Sequence, residues 1–74
     1  MKRTFTAHIN WDEESKSYIG YVPGIIGAHS QADSIDDLRE KMAEVVTLCI
    51  EEMDEDDKQY LPDFKGITQI EVDV

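Results

Sequence analysis

After Ser34 the apolar residues Ile35, Leu38, Met42, Val45, Val46, Cys49, Ile50 and Met53 recur mostly at steps of three and four. That spacing lines one stripe of an α-helix. Asp37, Glu40, Lys41, Glu44 and Glu51 fall on the opposite side. The hydroxyl of Ser34 is placed to accept an orphan backbone N–H of the first turn, and Asp36 and Asp37 suit the positive end of the helix dipole. A one-sided helix of this length must bury its stripe. In a chain of 74 residues, which has room for a single domain over 1–74, the partner layer must come from the remaining residues.

Those residues carry strand patterns. From Phe5 to Trp11 the apolar residues Phe5, Ala7, Ile9 and Trp11 alternate with Thr6, His8 and Asn10, the period of a half-buried strand. Asp12 to Lys16 is a polar break, and Ser17 to Val22 resumes with aromatic and branched residues, so the two runs predict a hairpin. In the second run Tyr18 and Val22 point one way and Ile19 and Tyr21 the other, which predicts a central strand or one with a covered second face. Pro23 to Gly27 is turn chemistry, Ala28 to Ala32 a short third strand, and Ile67 to Val74 a last one with Ile70, Val72 and Val74 in alternation. The order β-β-β-α-β predicts an α+β two-layer sandwich, one sheet packed on one helix.

Charge narrows the function. Seventeen acids against seven Lys and Arg give a net of −10, which repels polyphosphate and anionic membrane surfaces, so no direct nucleic-acid binding by the chain alone and no membrane association are expected. No apolar run approaches the ~20 residues of a membrane helix, Met1-Lys2-Arg3-Thr4 lacks the apolar stretch of a signal peptide, and the lone Cys49 cannot close an internal disulfide. A cytoplasmic location is the expectation. Burial and ordering entropy nearly cancel in chains below ~70–80 residues. A homo-oligomer is therefore expected, through the second-strand region with Ile19 and Tyr21.

Two features of the helix do not follow from packing. Leu48 projects among Lys41, Glu44 and Glu51 on the polar side, and residues 51–58 hold six acids and one lysine, a net of −5 where the helix dipole favours cations. An apolar point beside acids has the composition of a protein-interface rim. Glu44, Leu48, Glu51, Glu52, Asp54 and Glu55 are the candidate partner-binding residues.

Three segments carry a family resemblance: Tyr18-Ile19-Gly20-Tyr21-Val22-Pro23-Gly24, then Gly27 to Leu38 (GAHSQADSIDDL), then Phe64 to Val72 (FKGITQIEV). In this order and spacing the chain resembles the HicB family of antitoxins. The resemblance implies a partial RNase H-like fold in which the last strand lies parallel to the first. It also implies that the chain neutralises a basic HicA-type toxin, an mRNA-cleaving protein, by covering its catalytic surface. Many family members carry a C-terminal DNA-binding domain. This chain stops at Val74, so no such domain and no autonomous operator binding are expected.

An RNase H-like metal site would need converging carboxylates, with Asp12, Glu44 and Asp73 as candidates, but Asp12 sits by a turn and Glu44 on the outer stripe. His8, His29 and Cys49 form no known ligand spacing, and Cys49 lies within the apolar stripe as a small hydrophobe. No catalysis, metal or cofactor is expected. Two alternatives remain: an orphan oligomeric binding module without a toxin, and a vestigial nuclease.

Overall fold

The computed structural model describes residues 3–73. Strand β1 (His8–Asp12) and strand β2 (Ser17–Tyr21) form an antiparallel hairpin closed by the Asp12–Ser17 pair, and β3 (His29–Ala32) pairs antiparallel with β2, in the order β1-β2-β3. The hairpin turn is fastened by its own side chains. Ser15 Oγ donates to Asp12 Oδ2 at 2.7 Å, Lys16 pairs with Glu13, and Trp11 Nε1 donates to Glu13 at 2.8 Å. The Ser15 hydroxyl holds the Asp12 carboxyl below its ordinary pKa, and Lys16, followed by Trp11, does the same for Glu13. Lys16 itself sits at φ +55°, a left-handed conformation that side chains rarely adopt.

Helix α1 (Ile35–Glu51) begins as the cap pattern predicts, with the Asp37 N–H donating to Ser34 Oγ at 3.1 Å. It lies over β3 and β2. Small residues permit the close approach: Ala28 and Ala32 are buried beneath it, and a Cβ built on Gly20 would stand 3.2 Å from Leu38 Cδ2 and 3.4 Å from Met42 Sδ. Leu38 is fully buried. With Val22, Ile25, Ala28, Ala32, Met42 and Val46 it forms an all-apolar core, flanked by the half-buried Phe5, Val45, Cys49, Ile50 and Met53. Cys49 is thus partly exposed and not sealed in.

The loop between β2 and β3 folds back on itself, the Val22 N–H donating to the Ala28 carbonyl at 2.9 Å, with Gly24 and Gly27 at φ +89° and +83°. It turns Ile25 into the core and Ile26 out to solvent. Pro62 packs on Gly24, and its carbonyl accepts a 2.8 Å hydrogen bond from the Arg3 guanidinium.

The chain departs from the predicted order after α1. The helix stops at Glu51, and the acidic run restarts as a short helix α2 (Glu55–Lys58), where Glu55, Asp56 and Asp57 occupy a first turn whose dipole welcomes them. A single helix would have carried those acids at its negative end. Among the described residues the fourth strand is not formed: residues 67–73 are exposed and without a ladder partner, and Val74 lies outside the described residues. Alternation marks a face, but strand structure requires a neighbour to hydrogen-bond. The observed architecture is therefore a three-stranded antiparallel sheet packed on one helix. Among the described residues no helix is long and apolar enough to cross a membrane.

Candidate partner-binding surface

The outer face of α1 places Leu48 at 57% exposure, with Glu44 one turn before it and Glu51 and Glu52 one turn after, all exposed. The i±4 and i+3 spacing puts these side chains on one surface. Asp54, the N-cap residue of α2, and Glu55, its first residue, follow beyond the end of α1 and are exposed. Among the described residues no Lys or Arg pairs with Glu44, Glu51, Glu52 or Asp54, whereas Glu55 is held by Lys58 at 3.2 Å. The surface thus combines unneutralised carboxylates with a large apolar side chain in water.

Two further residues belong to it. Ile26 is 98% exposed and Tyr60 76% exposed, and with Met53, Glu52 and Asp57 they line a shallow depression of about 470 Å³ at the end of α1. Glu52 is shared between this depression and the Leu48 surface. Ile26 was detectable in principle, since adjacent isoleucines between Gly24 and Gly27 cannot both face inward in a tight loop. Tyr60 carries no such signal.

Ile19 and Tyr21 lie on the sheet face turned away from α1, because Gly20, between them in the strand, faces Leu38. Tyr21 is exposed and Ile19 half-buried. Tyr21 stands between His8 and His29 in a cross-strand row, and its hydroxyl lies 3.2 Å from His8 Nδ1 with the rings edge to face.

The carboxylates weighed for metal chemistry do not converge. Among the described residues no three His, Cys, Asp or Glu side chains are grouped to hold an ion. Asp12 is engaged by Ser15 in the hairpin turn, Glu44 is on the outer helix surface, and Asp73 is on the exposed C-terminal segment.

Comparison with known proteins places this arrangement among relatives of the same size. The chain is 36% identical to a UPF0150 protein of Thermotoga maritima over 73 residues, covering 99% of this chain and 95% of that protein. It is 35% identical to a UPF0150 protein of Synechocystis sp. over 71 residues, covering 96% of this chain and 97% of that one. The chain belongs to the UPF0150 family. Because the match spans almost the whole of both UPF0150 relatives, the sheet, α1 and the acidic segment after it all fall within the shared length. No protein-family model matches the chain, and no solved structure matches it significantly.

Proposed function

We propose that this UPF0150 protein is a HicB-type antitoxin of a type II toxin–antitoxin system, which binds a basic HicA-type mRNA-cleaving toxin and neutralises it by steric occlusion. The observation that carries the reading is the exposed Leu48 set among Glu44, Glu51 and Glu52. Unpaired acids on a chain of net −10 steer an RNA-binding protein, basic by the nature of its substrate, into encounter. Leu48, with Ile26 and Tyr60 at the end of α1, supplies the apolar contact that charge alone lacks, since burial and not rim charge holds most complexes together. The complex forms in the cytoplasm, where the message is. No reaction is required of the antitoxin, and no cofactor.

A second reading, an orphan oligomeric module without a toxin, draws on the exposed sheet face around Tyr21. Coexpression with a short basic protein encoded beside it separates the two. The antitoxin reading predicts rescue of growth and copurification of the pair, and failure of both transfers support to the orphan module.

A further inference from the structure

The depression at the end of α1 is built from three parts of the chain whose backbones are tied down. The β2–β3 loop supplies Ile26 and is closed by the Val22 N–H donating to the Ala28 carbonyl at 2.9 Å. The end of α1 supplies Glu52 and Met53. The turn after α2 supplies Tyr60 and Leu61, whose N–H groups donate to the Asp57 and Lys58 carbonyls at 3.1 and 3.3 Å. That turn is fastened to the loop, because Pro62 Cγ stands 3.3 Å from a Cβ built on Gly24. Ile26 and Tyr60 are thus presented to water from anchored backbone, on the lining of a concavity. A site prepared in this way loses little ordering entropy when it is filled.

Its lining sets two requirements on an occupant. Ile26, Met53, Leu61 and the Tyr60 ring offer apolar contact, and the charged residues of the lining are Glu52 and Asp57. Among the described residues neither carboxylate pairs with a Lys or Arg, since Lys58 is engaged by Glu55 at 3.2 Å. An apolar side chain would cover two carboxylates and leave them without a partner, which is unfavourable. A lysine would satisfy the charge with a compact ammonium that has no plane to lay on an aromatic ring. An arginine meets both requirements. Its methylene stem packs on apolar side chains, its guanidinium stacks on a tyrosine, and its fork of donors serves two acceptors at once.

We infer that the depression is the docking pocket for an arginine side chain of the basic partner, with the stem along Ile26 and Met53, the guanidinium against Tyr60, and Glu52 and Asp57 as its acceptors. The inference rests on the proposed reading that the partner is basic, and it divides the acids by task. Glu44 and Glu51 lie on the open face of α1, where charge acts on encounter and is screened by salt. Glu52 and Asp57 stand beside apolar side chains that exclude water once the pocket is filled, so they act on the lifetime of the complex.

The test has two arms, so that the pocket and the toxin reading can fail separately. In the first, the isotope-labelled full chain is titrated with N-acetylarginine methylamide and with the matching lysine and norleucine compounds, and amide chemical shifts are followed. The arginine probe is expected to give saturable shifts confined to the residues about Ile26, Glu52, Asp57 and Tyr60, abolished in E52Q/D57N, with the lysine probe weaker. Shifts spread evenly over the acidic surface, or equal binding of the lysine probe, overturn the pocket. In the second arm the binding kinetics of the short basic protein encoded beside the chain are measured. Y60A and E52Q/D57N change exposed side chains, so far-UV circular dichroism stays the same, and each is expected to raise the dissociation rate by about tenfold or more. E44Q/E51Q removes the same amount of charge and should instead lower the association rate. Native dissociation rates in both Y60A and E52Q/D57N overturn the inference. Absence of any binding by that protein, beside a positive first arm, overturns the toxin reading while the arginine pocket stands.

Discussion

Helix and sheet approach each other closely at Gly20, and a mutant cycle there tests how tightly the fold is built. Leu38→Ala removes a fully buried side chain, worth about 0.8 kcal/mol per methylene plus a cavity term, for a loss of about 3–4 kcal/mol. A 74-residue domain has about 4–11 kcal/mol in total, so the variant melts about 12–30 °C lower. Gly20→Ala alone places a methyl 3.2 Å from Leu38 Cδ2, tight enough that Leu38 must give by a few tenths of an ångström. Lost backbone freedom in the unfolded chain offsets part of that strain, leaving a cost of about 0–1 kcal/mol. In the double variant the new methyl enters the space that Leu38 vacated. Its cost should fall short of the summed single costs by about 1 kcal/mol. Urea unfolding followed by circular dichroism at one fixed protein concentration measures all four corners, the concentration being held because self-association shifts apparent stability. Additivity within about 0.3 kcal/mol would mean that Gly20 and Leu38 do not meet.

Other expectations follow from single features. Reversing two acids, E44K and E51K, is expected to weaken binding of the proposed basic partner by about tenfold or more and to flatten its salt dependence, as read by titration calorimetry at low and moderate salt; unchanged affinity at low salt would move the contact elsewhere. Ser34→Ala removes the acceptor for the Asp37 N–H and costs about 1 kcal/mol of unfolding free energy, whereas Ser34→Asp retains stability. The carboxyls of Asp12 and Glu13 both have folded pKa values below the ordinary ones, so their contribution to stability is present above the usual carboxylate range and is lost as pH falls through it. The difference in melting temperature between the native chain and D12N/E13Q should therefore shrink toward zero on acidification from neutral pH, and a constant difference would refute those contacts.

Much of the body was legible in the residues because its signals are local. The hydroxyl of Ser34, the threes and fours through Ile50 and the alternation about the hairpin each fix a face or an end without reference to the rest of the chain, and the structure places them accordingly, while Met53 falls beyond the helix end at Glu51. The acidic surface was also legible, since Leu48 breaks the polar stripe by its position alone. The segment after Gly66 was not. Its alternation states which side chains share a side, but a strand also requires a hydrogen-bonding neighbour, which no local pattern supplies. The break between α1 and α2 shows a related limit. The acids argued against a helix end at 51–58, and the structure resolves the conflict by making half of that segment a helix beginning. Tyr60 is exposed beside Ile26 only because the chain turns back after α2.

The proposed role, silencing a basic ribonuclease by covering it, is open to titration. The direct measurement titrates the purified chain into the short basic protein encoded beside it while RNA cleavage is followed. Cleavage is expected to fall in proportion to added chain, to stop at a fixed small-integer ratio, and to be restored when Leu48→Lys replaces the native chain. Cleavage that continues undiminished in excess chain would contradict it.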